Sequence, residues 1–212
     1  MPPGSDASRG AVSAVNRESV RLRTGVFTSE PDWLPRRRLV TTSIPEDALT
    51  WLFDPASLTR RVRAMCGECF RVRVLRQHYA RPMFNERRVL AMADHERGMV
   101  RHVQLLCDGE PLVFARTVIP LSTLKGARRR LARLGDRPLG EMLFADKSLQ
   151  RLEVQVARIG PAHDLFTDAT ASLRVKPAVI WGRRSVFRLK GKPLLVSEIF
   201  LPRILKRMNF TV

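Results

Sequence analysis

"VQLLCDGEPLVFARTVIPLSTL", residues 103–124, decides how this chain folds. One apolar run stops at Asp108-Gly109, and a second continues to Pro120. Asp-Gly readily takes the two positive-φ positions of a tight hairpin turn, so the stretch predicts two antiparallel strands. Yet Arg116 lies inside the second run, and Arg101 stands just ahead of the first. A charge in or beside a buried strand must be paired or must serve a ligand, because an isolated buried charge is very costly. The stretch therefore fixes a hairpin and raises the question of what its arginines do.

Reading outward, "FRVRVLRQHYA" (70–80) alternates Phe70, Val72 and Val74 with Arg71 and Arg73, which predicts a strand with one wet face. "RRVLAMADH" (87–95) reads as a further strand, and "LQRLEVQVARIG" (149–160) as another. "AVIWGRRSVFRL", the turn "KGK" and "PLLVSEIFLP" (178–202) predict a second hairpin. Helices are expected where Ser43 caps a segment carrying Leu49, Leu52 and Phe53, and again after the break at Asp54-Pro55, where Leu58 and Val62 share a face. A third is expected from Ser122 to Gly135, and "RPLGEMLF" (137–144) adds a short helical turn. "PAHDLFTDATASLRVKP" (161–177) reads as a surface insertion, and "RILKRMNFTV" (203–212) as a short terminal helix. Tight turns rather than crossover helices join most strands. The fold class is thus α+β, one antiparallel sheet with its helices gathered on one face, in a domain spanning 41–212. Residues 1–40 are rich in Pro, Gly, Ser and Arg without a lasting periodic face, and read as a poorly ordered arm.

The 212 residues carry a formal charge of +18, and arginine supplies 32 of the 38 basic side chains. Such a charge suits a polyanion or a small anionic substrate, and it also suits a compositional bias towards arginine. A nucleic-acid binder should interleave aromatic with basic residues on an exposed face. With one Tyr and 7% aromatic residues, that signal is poor. No apolar run of about 18 residues predicts a membrane span, and the polar start "MPPGSDASRG" has no secretory h-region. A cytoplasmic monomer without nucleic-acid partner or stable membrane insertion is the expectation. Three cysteines do not make a disulfide framework, and Cys66 and Cys69, in C-x-x-C spacing, read as two free thiols near a helix end.

Phosphate-binding glycine loops, the G-x-S-x-G elbow and zinc-ligand spacing among His78, His95, His102 and His163 do not occur. Chemistry must then rest on Arg, Glu and the shape of a pocket, with no metal and no cofactor expected. Arg101 shares strand parity with Val103 and Leu105. Glu198 shares parity with Leu194 and Phe200. These two could pair with each other, or could flank a small ligand that is anionic at one end and carries a hydroxyl at the other.

"LLCDGEPLVFARTVIPLSTL", "RPLGEMLF" and "WGRRSVFRLKGKPLLVSEIFLP", in this order, resemble the chorismate pyruvate-lyase family over roughly residues 48–202. The resemblance implies a six-stranded antiparallel sheet and a buried product site under helical flaps. It implies removal of pyruvate from chorismate to give 4-hydroxybenzoate, the first committed step towards ubiquinone. By position in these motifs, the ligand-clamping arginine falls on Arg101, seven residues before Asp108. A backbone contact falls on Leu139 of the P-L-G segment, the acid of the final strand on Glu198, and a further contact after the first helix on Leu58. Arg116, Arg183 and Arg184 are additional candidates for the enolpyruvyl carboxylate. Ala115 departs from the Gly expected before R-T-V, which bears on flap packing and product retention. A sensor of small ligands, the effector domain of a transcription regulator, is the alternative that the same fold implies. The weakly periodic arm argues against it, being a poor match to a helix-turn-helix module.

Overall fold

Asp108 and Gly109 take φ of 54° and 78°, the left-handed pair that the central hairpin turn requires. The turn joins the third and fourth of seven strands: β1 (Leu34–Pro35), β2 (Phe70–Ala80), β3 (Gly98–Cys107), β4 (Glu110–Pro120), β5 (Gln150–Ile159), β6 (Ile180–Leu189) and β7 (Lys192–Phe200). They form a single antiparallel sheet in the order β1-β5-β6-β7-β4-β3-β2. Lys190 and Gly191, at φ 51° and 74°, close the second hairpin in the same way. The hairpins join through β4 and β7, with Ala115 opposite Glu198. The computed structural model describes residues 30–39 and 44–206.

Helices α1 (Glu46–Leu52), α2 (Leu58–Cys66), α4 (Leu139–Phe144) and α6 (Pro202–Lys206) lie on one side of the sheet. Trp51, Leu52, Val62 and Ile204 pack there with Leu105, Val113 and Phe200. Ser57 caps α2, its Oγ accepting from the Arg60 amide at 3.4 Å. The α+β reading stands, with an extra two-residue strand at the β5 edge. Two short helices, α3 (Phe84–Val89) and α5 (Asp164–Thr170), cover the opposite face. Because both faces are covered, β3 and β4 are buried almost throughout, unlike a half-wet antiparallel strand.

Several local expectations change. Residues 87–95 are not a strand: Arg87–Val89 end α3. Glu30 from the N-terminal segment accepts from the Phe84 and Asn85 amides at 2.7 and 2.9 Å, a long-range cap that local sequence does not reveal. Residues 161–177 are not a surface insertion, since Leu165, Phe166 and Ala169 pack on Phe114 and Ile199. Ser122 is not the cap: the helical segment there is a 3-10 stretch from Gly126 to Arg133 whose N-cap is Lys125, and Thr123 Oγ1 donates to the Pro193 carbonyl at 2.7 Å. Ser43 lies outside the described residues. Cys66 is bonded to Cys107, 41 residues away, because the topology brings the end of α2 to the end of β3.

The fold begins before residue 41. Leu34 pairs with Val156, Trp33 packs under the Arg184 guanidinium at 4.9 Å, and Arg37 meets Glu153 at 2.6 Å. Truncation to residue 41 removes these contacts and the Glu30 cap. It is expected to cost about 2–3 kcal/mol and to lower Tm by roughly 5–10 °C. An unchanged melting curve for the truncated protein would show that the segment adds nothing to the core.

Candidate active site

Strand parity sorts the charged residues onto two faces. On the α1–α2 side, Arg101, Val103 and Leu105 of β3 align with Val113, Ala115 and Thr117 of β4, and with Val196 and Glu198 of β7. These residues floor a cavity of about 50 Å³. Leu58 and Thr59 at the start of α2 roof it together with Leu139, Gly140 and Leu143 of α4, and Phe187 of β6 closes one end. Gly140 permits the two roof helices to meet: a Cβ there would lie 3.0 Å from Thr59 Oγ1 and 3.4 Å from Ser57 Oγ.

Arg101 is 2% exposed and, among the described residues, its hydrogen bonds go to neutral acceptors. Nη1 donates to Gln77 Oε1 at 3.0 Å, and Nη2 to the Gly135 and Arg137 carbonyls at 2.7 and 3.4 Å. Burial pushes its pKa below the usual value, and only the more distant Asp136 opposes this. Among the described residues no carboxylate lies within ion-pair distance of it. A buried guanidinium held this way is uncompensated and favours an anion in the cavity beside it. Gln77 escapes sequence reading because β2 is bulged between Val74 and Arg76, which breaks its alternation.

Glu198 does not pair with Arg101. Its Oε2 accepts from Nε of Arg183, the residue opposite it on β6, at 2.6 Å. Arg183 is 1% exposed, and its Nη1 donates to the Trp51 and Asp54 carbonyls at 2.9 and 2.6 Å. It thereby ties the acid to the connection between α1 and α2. Asp54 is held in turn by Arg61 at 2.7 Å. Burial raises the Asp54 pKa, but the Ala56 amide and the charges of Arg61 and Arg183 outweigh it and leave it lowered. Register separates Arg101 and Glu198 by two strand spacings and two residues, about 12 Å between α-carbons. The small Ala115 lies on the strand between them, and both side chains line the same cavity.

Arg116 and Arg184 point to the other face. Arg116 holds Glu86 of α3 in a bidentate pair, at 2.7 and 2.9 Å, and its Nη1 meets His102 Nε2 at 2.6 Å. Arg184 donates to Gln155 and Asn85 at 2.8 and 2.7 Å. Of the three candidate anion-binding arginines, only Arg183 is on the cavity side, and Glu198 and backbone carbonyls already engage it. Among the described residues no cluster of His, Cys, Asp and Glu is arranged to hold a metal ion.

A family-wide sequence profile described as "Chorismate lyase" matches residues 29–210. The chain belongs to the chorismate lyase family. A protein of Azoarcus sp. named probable chorismate pyruvate-lyase is 48% identical over 159 residues, covering 73% of this chain and 84% of that one. A protein of the same name from Methylococcus capsulatus is 44% identical over 156 residues, covering 74% of this chain and 95% of that one. A GntR-family transcriptional regulator from Bacillus cereus superposes with a TM-score of 0.49 and 11% identity, over 64% of this chain and 94% of that one.

A guanidinium can only donate, so His102 Nε2 must accept from Arg116 and the ring must be neutral. Burial first, then the charges of Arg116, His78 and Arg76, lower the His102 pKa from 6.5 to about 3. Below 6.5 the unfolded chain takes up a proton that the native ring refuses, so stability falls as pH drops from 6.5 towards 3. The melting temperature of the lyase-family protein should decline across this window. His102→Gln, which keeps an acceptor for Arg116, should flatten the decline. An identical slope in the variant would place the pH dependence elsewhere.

Proposed function

We propose that this protein converts chorismate to 4-hydroxybenzoate and pyruvate. The observation that carries the reading is the buried Arg101, which has no carboxylate within ion-pair distance among the described residues and shares one cavity with Glu198 in a chain of the chorismate lyase family. Chorismate carries a ring carboxylate, a ring hydroxyl and an enolpyruvyl ether. Arg101 takes the ring carboxylate in two parallel hydrogen bonds, and Glu198 meets the hydroxyl at the far end. Leu58 and Leu139 close the apolar roof over the ring.

The ether C–O bond breaks and a hydrogen leaves the carbon that bears the hydroxyl. The electron pair of that C–H bond completes the aromatic ring. The departing enolpyruvate gains a proton at its methylene carbon and becomes pyruvate. Aromatisation supplies the driving force, so the reading invokes no cofactor. What the protein supplies is orientation in a cavity under the roof helices, a fixed cation at one end and an acid beside the reacting carbons. A cytoplasmic monomer without nucleic acid or inserted membrane completes the reading, and gel filtration tests its size. No described helix is long and apolar enough to cross a membrane.

Purified protein incubated with chorismate alone should yield equimolar 4-hydroxybenzoate and pyruvate by chromatography. No product at micromolar enzyme would overturn the reading. Arg101→Lys should lose roughly 100-fold in kcat/KM while the protein stays folded, since an ammonium cannot make the paired bonds. Glu198→Gln should lower turnover by roughly 100-fold and change 4-hydroxybenzoate affinity much less. Unchanged turnover with a sharply lower Tm would instead make Glu198 only the structural partner of Arg183.

A further inference from the structure

Chorismate has two carboxylates, and among the described residues the cavity lining offers one cation without an ion pair, Arg101. The other buried guanidinium charges on this side are matched: Arg183 by Glu198, and the partly covered Arg61 by Asp54. One neighbour is not. Arg151 of β5 donates from Nε to Ser185 Oγ at 2.9 Å and from Nη1 to the Pro55 and Asp54 carbonyls at 3.1 and 3.4 Å. Among the described residues it has no ion pair, and its Nη2 has no hydrogen bond.

We propose that Arg151 receives the enolpyruvyl carboxylate of the substrate, and so selects chorismate over ligands with one carboxylate. The inference rests on the lyase reading. Its position suits the task. Arg151 lies opposite Phe187 in the β5–β6 register, with its guanidinium 5.6 Å from the ring centroid of this cavity-lining residue. It shares the Asp54 carbonyl with Arg183, which holds Glu198. Any group attached to the ring carbon beside the hydroxyl at Glu198 can therefore extend along β6 towards Arg151. Burial first, then the charge of Arg183, depress the Arg151 pKa, and Glu198 and Asp54 oppose this. The pairs Arg61–Asp54 and Arg183–Glu198 cancel, which leaves this corner one positive charge in excess until a second carboxylate arrives. Sequence reading missed Arg151 because β5 is irregular between Arg151 and Val154, which hides its parity.

Two ligands test this on the unsubstituted protein: 3-(carboxymethoxy)-4-hydroxybenzoate and the carboxamide of the same arm. The acid should bind at least roughly 10-fold tighter, as expected for a hydrogen bond between charged groups. Arg151→Gln should erase that difference, reduce kcat/KM for chorismate by roughly 30-fold, and leave 4-hydroxybenzoate affinity within about twofold. Equal binding of the two ligands to the unsubstituted protein would overturn the proposal, even if the variant did not fold. Parallel losses of 4-hydroxybenzoate affinity and Tm in Arg151→Gln would also overturn it, leaving Arg151 a support for the roof. Unsubstituted protein that does not turn over chorismate would instead strike the lyase reading itself.

Discussion

A buried guanidinium with no ion-pair partner among the described residues is the constraint around which this site is arranged. Removing a charge from water costs several kcal/mol even after the surroundings relax. Arg101 meets that cost only in part, through Gln77 and the Gly135 and Arg137 carbonyls. Those carbonyls belong to the segment leading into α4, so the same bonds that hold Arg101 also hold one side of the cavity roof. An anion in the cavity would complete the ion pair. A ligand anion paired with Arg101 would thereby act on the same side chain that holds this part of the roof.

The remaining buried charges act as stitches between layers. Arg183 joins Glu198 to the carbonyls at the end of α1, and Arg116 joins the sheet to α3 through Glu86. Each is a bond that costs more to break on one side than it gains when formed, because the surviving charge is left in the interior. Such pairs do more to specify where helices dock than to stabilise the fold. They also explain how a chain of net charge +18 buries arginines at all: carboxylates and carbonyls await them on both faces.

The hairpins were legible because Asp108-Gly109 and the Lys190-Gly191 turn have local chemistry that allows little else. The alternation of β3 and β7 was equally plain and placed Arg101 and Glu198 on the cavity side. Three things were not legible. Parity alone cannot say that the second face of a sheet is covered, so α5 read as an insertion although Phe166 is buried. Long-range partners are invisible in a local window: Glu30 capping α3, Cys66 reaching Cys107, and Arg116 meeting Glu86 rather than a ligand. Bulges in β2 and β5 break the period on which the reading depends, which concealed Gln77 and Arg151.

In the proposed site Arg101 takes a carboxylate. Calorimetric titration of 4-hydroxybenzoate against 4-hydroxybenzamide tests it directly, since the two differ only in charge and in one acceptor. The acid is expected to bind at least roughly 100-fold tighter, in line with a charge-assisted bidentate pair. Equal affinity for the acid and the amide would contradict it, and would leave Arg101 fully satisfied by the neutral groups around it.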